Sequence, residues 1–228
     1  MTKKDKSRQT MEQKLNVLRA GVLGSNDGIL TVVGVLFSVG AATTNSFTIF
    51  IAGLADLVAC AFSMAAGEYA SVSTQKDTEK VIVTKERQLN QTDADAQQYD
   101  ICRYYEQKGV AVETAAAIAA ELMANKPLES VMSVKHDIEL GRYVSPWFAA
   151  VASLFAAGLA GCLPLLALTF LPPDIRWQGT IMTVILSVGL TGLLSAQLGH
   201  GFIKKAIVRN VIVGIVTMAI HFCVGRML

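Results

Sequence analysis

The chain has 228 residues, of which 52% are hydrophobic and 17% charged, and its formal net charge is +2. No charged residue occurs between Arg142 and Asp174 or between Arg176 and Lys204. Soluble domains lack uncharged stretches of this length, whereas about 20 apolar residues cross the hydrocarbon core of a bilayer. The composition therefore excludes an ordinary soluble domain and predicts an all-α integral membrane protein.

The chain begins with a polar, basic segment, 1–18, which we expect to be a tail rather than a cleaved signal peptide, because no small-residue cleavage site closes the apolar run after it. The first two predicted spans are 19–42 and 47–72, and each contains an aspartate, Asp27 and Asp56. A carboxylate in hydrocarbon costs about 3 kcal/mol on insertion scales. Such groups persist where a cation or a proton pathway offsets that cost, so the pair indicates cation transport.

A polar insert, 73–145, follows the second span and is predicted to be helical. Thr74–Leu89 carries strong helix formers, and residues 90–93 predict a turn in which Thr92 or Asp93 caps the next helix. The remaining predicted helices and their buried positions are Ala94–Lys108, Glu113–Asn125 and Leu128–Leu140, with Ile101, Ile118, Leu122, Val131 and Ile138 in the core. We expect three or four short helices in the insert.

Three more spans complete the chain, at 147–171, 177–199 and 206–225. Lysine and arginine number six before the first span, nine in the insert and three between the last two spans, against two on the opposite side. Cytoplasmic loops carry the excess of these residues. The N-terminus and the insert are therefore predicted to be cytosolic, and the C-terminus to face the other side.

Cysteine and histidine give no site of their own. The four cysteines lie far apart without a CxxC pair, so they predict neither a disulfide framework nor a zinc site. His200 and His221 could relay protons, but a lone histidine is more often structural.

One stripe of the second span gathers residues that could bind metal. Asp56, Cys60, Met64 and Glu68 follow at steps of four, which keeps them within roughly 120° of one another around a helix. Carboxylate with thioether suits a borderline metal such as Fe²⁺ or Mn²⁺ better than Ca²⁺ or Mg²⁺. Cys60 could equally be a packing residue, and Glu68, near the cytosolic boundary, could instead bond a loop or reach solvent.

Asp27 stands about two turns into the first span. Gly24 and Gly28 beside it form a small-xxx-small pair, which permits close helix approach. The alternative is a purely structural role, in which Asp27 and Asp56 only form hydrogen bonds to neighbouring helices. Two carboxylates together with Met64 favour a metal path over that alternative.

These residues carry a family resemblance. The segments Ser25–Leu30 (SNDGIL), Ile51–Asp56 (IAGLAD) and Phe62–Tyr69 (FSMAAGEY) resemble the vacuolar iron transporter family of plants, yeast and bacteria. The resemblance covers nearly the whole chain, since the family has five spans and a helical cytosolic insert between the second and the third.

The resemblance implies a homodimer with the transport path at the two-fold interface, lined by the first two spans. Members move Fe²⁺, and often Mn²⁺, out of the cytosol in exchange for protons. The family's path residues fall on Asp27, Asp56 and Met64 of this sequence.

The resemblance also implies a metal-binding insert built from glutamates and a methionine pair. In this chain that pair falls on Lys135 and His136, and Glu139 matches a nearby family glutamate. Glu79 and Glu86 share a helix face. Glu79, Glu86, His136 and Glu139 are therefore the candidate ligands of a cytosolic site, with a solvated, charge-mixed surface as the alternative.

The sequence as a whole predicts a metal/proton antiporter that exports Fe²⁺ or Mn²⁺, with no permanently bound cofactor. The expected partners are a second copy, membrane lipid and divalent metal ions, without nucleic acid, and the expected location is a bacterial inner membrane. The alternative is a membrane-anchored metal-sensing or scaffold protein without transport. An enzyme is disfavoured because GxSxG, HExxH and a phosphate-binding loop are all missing from the sequence.

Overall fold

The structure, a computed structural model, describes residues 11–141 and 143–227, with side chains from Lys14 onward. Over these residues it contains helices and no strand. The helices are α1 (Met11–Ala42), α2 (Ser46–Thr92), α3 (Ala94–Gln107), α4 (Val112–Asn125), α5 (Pro127–His136), α6 (Pro146–Phe170), α7 (Arg176–Leu198) and α8 (Ile203–Met227).

Five of the helices, namely α1, α2, α6, α7 and α8, are long and apolar enough to cross a membrane. The prediction of an all-α membrane protein with five spans is therefore confirmed. Residues 1–10 of the predicted tail, together with Arg142 and Leu228, lie outside the described residues, and residues 11–18 of that tail already belong to α1.

The chain divides into two compact units. One, the bundle unit, comprises residues up to Val72 and from Ser145 onward; the other, the insert unit, is Ser73–Val144. The helix α2 has residues in both.

The bundle unit is organised around α1, which packs against α6, α7 and α8. Its apolar face buries Val32, Val33 and Leu36 completely. The other buried members of this core are Ile29, Phe37, Ile49, Leu57, Leu165, Leu168, Val184, Val188 and Met218. Large apolar side chains on the outside of α6, α7 and α8 are exposed, among them Phe155, Leu159 and Leu186, as expected of helices that meet lipid.

Glycines allow a close contact between α1 and α6 in the bundle unit. A Cβ at Gly28 would overlap the carbonyl oxygen of Ala157 in α6, and one at Gly24 would lie 2.8 Å from the carbonyl oxygen of Ser153. Gly161 faces Gly28 from the other side, since its own Cβ would come within 2.6 Å of the Gly28 carbonyl oxygen. The close helix approach predicted at Gly24 and Gly28 is therefore present, and the helix that approaches them is α6.

The insert unit is built from α3, α4, α5 and the end of α2. Ile101, Ala119 and Val131 are completely buried at its centre, and Leu122 packs against them. Asp93 caps α3 by accepting a hydrogen bond from the Ala96 N–H at 3.3 Å. Gly109, at φ +89°, occupies the left-handed region after α3, where glycine is favoured.

Two predicted boundaries in the insert are wrong. Residues 90–92 are the last residues of α2 rather than a turn, because no proline or glycine interrupts the chain between Gly67 and Thr92 and the Thr92 hydroxyl bonds back to the Gln88 carbonyl. Helix α5 ends at His136 instead of Leu140. Asp137 there adopts a left-handed conformation, φ 55°, which breaks the helical path.

Candidate functional site

The first two spans meet through polar side chains. The Cys60 thiol of α2 donates a hydrogen bond to Asp27 Oδ2 of α1 at 3.4 Å. Thr31, one turn beyond Asp27 on α1, donates to the Asp27 carbonyl oxygen at 2.8 Å, and its side chain also lies beside Asp56. Asp27, Thr31, Asp56 and Cys60 thus form one cluster, which we call the carboxylate cluster.

Asp56 is the least satisfied member of the carboxylate cluster. Its Oδ2 atom is buried and has no hydrogen-bond partner among the described residues. Asp27 of α1 and His221 of α8 are both close enough to interact electrostatically with it. A buried carboxylate oxygen without a donor is costly, so this atom can accept a proton or a cation.

His221 of α8 packs against α1. The Ser38 hydroxyl of α1 donates to the His221 carbonyl oxygen at 3.0 Å and is 3.2 Å from Nδ1 of the ring. The ring lies against Gly34, where any Cβ would come within 2.8 Å of it. Asp27, Thr31, Gly34 and Ser38 are spaced by four, three and four, so they share one face of α1.

The predicted stripe on α2 continues past Cys60. Met64, one turn further, is half-buried, and Glu68, two turns further, is only 5% exposed. Glu68 is paired with Arg19 of α1, whose Nη2 lies 3.1 Å from Glu68 Oε2. Its carboxylate is therefore held by an arginine. Sequence reasoning missed both Arg19 and Thr31, since nothing in their local sequence sets them apart.

The candidate ligands of the insert unit are distributed differently. Glu86 is 4% exposed, and His136 Nε2 lies 2.9 Å from its Oε1 atom. Glu79 instead accepts a hydrogen bond from Gln75 at 2.9 Å, and Glu139 follows the end of α5. The structure thus brings together Glu86 and His136.

The environment of Glu86 favours its charged form. Burial raises the pKa of this carboxyl, but the hydrogen bonds from His136 and Gln97 and the charge of Lys135 outweigh burial, so its pKa lies below the ordinary value. Within the part of the chain that the structure describes, no three His, Cys, Asp or Glu side chains are grouped so that they could hold a metal ion.

A five-span helical protein with two carboxylates and a thiol between its first spans belongs, by these features, among membrane proteins that handle ions. Comparison with known proteins specifies the class. The model described as "VIT family" matches residues 18–226, and the chain belongs to this family, as the resemblance implied.

Curated relatives agree with that assignment. A vacuolar iron transporter of Acanthamoeba castellanii is 33% identical over 211 residues, covering 91% of this chain and 77% of the relative. The vacuolar iron transporter homolog 2 of Oryza sativa subsp. japonica is 30% identical over 212 residues, 92% of this chain and 89% of the relative. The vacuolar iron transporter homolog 2.1 of Arabidopsis thaliana is 28% identical over 212 residues, 92% and 80%.

Proposed function

We propose that this protein exports divalent iron or manganese from the cytosol in exchange for protons. The observation that carries the proposal is the carboxylate cluster, in which Asp56 Oδ2 is buried without a hydrogen-bond partner among the described residues. The names of the curated relatives in Acanthamoeba castellanii and in plants, which are iron transporters and their homologs, support the same cargo.

The donor atoms of the carboxylate cluster and of the neighbouring Met64 suit this cargo. Asp27 and Asp56 supply hard oxygens, and Met64 supplies a soft thioether on the same stripe of α2. Such a mixed set favours a borderline ion such as Fe²⁺ or Mn²⁺ over Ca²⁺ or Mg²⁺. Cys60 acts on the cluster by its hydrogen bond to Asp27.

Proton coupling follows from the cost of an empty site. Two carboxylates in a low-dielectric bundle are stabilised either by a bound dication or by protons, and an empty, charged pair is unfavourable. Protons arriving from the far side therefore compete with the metal and release it there. This exchange makes the protein a secondary transporter rather than an enzyme.

A homodimer would complete the site. One chain contributes two carboxylates, those of Asp27 and Asp56. A second copy, related by a two-fold axis along α1 and α2, would bring the total at that axis to four. We further propose that the N-terminus and the insert unit are cytosolic and that the protein resides in a bacterial inner membrane, with lipid around α6, α7 and α8. The excess of lysine and arginine on the proposed cytosolic side supports that orientation.

Transport by proteoliposomes tests the proposal. When the vesicle lumen is more acidic than the outside medium, the parent protein should accumulate Fe²⁺ or Mn²⁺ in the lumen. Asp56→Ala should reduce the initial rate of metal uptake to background. Asp174→Asn, which alters an exposed carboxylate of the loop before α7, is the matched control and should transport at the parent rate. Parent-rate transport by Asp56→Ala would overturn the mechanism. If the parent protein moves no metal, the scaffold alternative holds instead.

A further inference from the structure

The insert unit contains a buried network of charges that is complete in itself. Glu86 projects from α2 and is 4% exposed, and three side chains from α3 and α5 surround it, namely Gln97, Lys135 and His136. A fourth, Asp100 of α3, lies at the outer end of the network and is 47% exposed. All five residues belong to one compact unit.

Both oxygens of Glu86 already have donors. His136 Nε2 lies 2.9 Å from Oε1, and Gln97 Nε2 donates to Oε2 at 2.7 Å. Because a carboxylate oxygen can only accept, the facing Nε2 of His136 carries a proton. A protonated nitrogen has no lone pair for a metal, so the Nε2 atom of His136 is not available as a ligand in this arrangement.

Lys135 closes the network. Its Nζ atom lies 3.7 Å from Glu86 Oε2 and donates to Asp100 Oδ2 at 2.9 Å and to Gln97 Oε1 at 3.1 Å. The Gln97 amide therefore presents its NH₂ group to a carboxylate and its oxygen to an ammonium. Reversing that amide would place like partners against each other, so the two interactions fix its orientation together.

The buried carboxylate of the network is compensated without an added ion. A buried carboxylate needs a counter-charge and donors for its lone pairs, and Lys135, Gln97 and His136 supply these to Glu86. A divalent cation entering here would meet the ammonium of Lys135 and would have to displace both hydrogen-bond donors.

We propose that Lys135 is the resident counter-charge of the insert unit, so that this unit folds without metal and neither Glu86 nor the Nε2 atom of His136 is a metal ligand. The part of the implied cytosolic metal site that falls on Glu86 is thus replaced in this chain by an internal ion pair. The proposal does not rest on transport activity.

Hydrogen–deuterium exchange on the full chain in detergent tests the role of Lys135. In the parent protein, 100 μM Mn²⁺ (a probe concentration on the order of the weaker protein-metal affinities) should leave the exchange of amides in α3 and α5 unchanged. Lys135→Met should speed their exchange about tenfold or more, or abolish protection there, while amides of α1 and α6 stay protected. The matched control is Lys80→Met, because Lys80 is paired with Asp77 on the exposed face of α2, and it should match the parent. Exchange in Lys135→Met that equals the parent would overturn the proposal.

Counting bound Mn²⁺ by equilibrium dialysis gives an independent measurement. The parent protein and Glu86→Gln should bind the same number of Mn²⁺ ions per chain. Their bundle units are identical, so any difference between them would have to come from Glu86. If Glu86→Gln binds one ion fewer, or if Mn²⁺ slows exchange in α3 and α5 of the parent, Glu86 is a metal ligand and the proposal fails.

Discussion

The thiol of Cys60 and the carboxylate of Asp27 are joined by a hydrogen bond of 3.4 Å that links α2 to α1. The thiol is a weak donor, so its contribution is to orient Asp27 more than to neutralise it. Cys60 is itself 8% exposed, and it lies one turn from Asp56 on the same stripe.

Cys60→Ser should therefore keep transport within about threefold of the parent rate, because a hydroxyl can donate to the same oxygen. Cys60→Ala removes the donor and should lower the rate further, by about three- to tenfold, corresponding to roughly 1 kcal/mol. Initial rates of Mn²⁺ uptake into proteoliposomes distinguish the variants. A loss as large as that of Asp56→Ala in the serine variant would instead identify the sulfur as a ligand.

Arg19→Gln should destabilise the bundle unit by leaving Glu68 buried without its cation. Removing one partner of a buried charge pair is costly, but Arg19 is 54% exposed, so we expect only about 1–2 kcal/mol. The apparent Tm in detergent should fall by about 2–6 °C. The double variant Arg19→Gln/Glu68→Gln should recover most of this loss, and equal Tm values for the single and the double variant would show that the pair does not contribute.

Gly28→Ala and Gly21→Ala should have opposite effects although both lie on α1. A Cβ at position 28 overlaps the Ala157 carbonyl, whereas a Cβ at position 21 meets nothing within 4 Å. The first substitution should cost about 1–3 kcal/mol by overpacking, and the second should stabilise the helix by up to about 1 kcal/mol. Thermal unfolding of the two purified variants measures both, and an equal effect at the two positions would contradict the packing of α1 on α6.

The insert unit should lose stability in acid through Glu86. Because its folded-state pKa lies below the ordinary value of 4.5, its contribution is complete above about pH 4.5 and is lost as the pH falls through the folded-state pKa. Glu86→Gln should cost about 1–3 kcal/mol at pH 7, and its difference from the parent should shrink below about pH 4.5. Amide protection factors in α3 and α5, corrected for intrinsic exchange rates, give the comparison. A stability difference between the parent protein and Glu86→Gln that stays constant down to about pH 3 would contradict this role of Glu86.

The spans and the stripe on α2 could be predicted because their signals are local. Uninterrupted apolar length marks each membrane helix, and the stride of four places Asp56, Cys60 and Glu68 on one face whatever surrounds them. The end of α2 could not be placed in this way, because Asn90 and Thr92 favour turns although no proline or glycine lies between Gly67 and Thr92.

The partners of the site residues could not be predicted in the same way. Arg19 and Glu68 are 49 positions apart, so only the packing of α1 beside α2 brings them together. In the insert unit, Glu86 and His136 are both among the four predicted ligands, but their direct contact and the contribution of Lys135 depend on how α5 packs against α2 and α3. A pattern of residue types gives the available donors and acceptors, whereas tertiary contacts decide which of them are already used.

The glycine contacts between α1 and α6 have a consequence for alternating access. Side chains can change rotamer when helices slide, but the Ala157 carbonyl in contact with Gly28 has no such freedom, so we expect α1 and α6 to move together. The glycines of α2, Gly53 and Gly67, meet only side chains or open space. In the transport that we propose, Asp27 would then move with α6 and Asp56 with α2. The separation of these two carboxylates would distinguish an inward-open from an outward-open state.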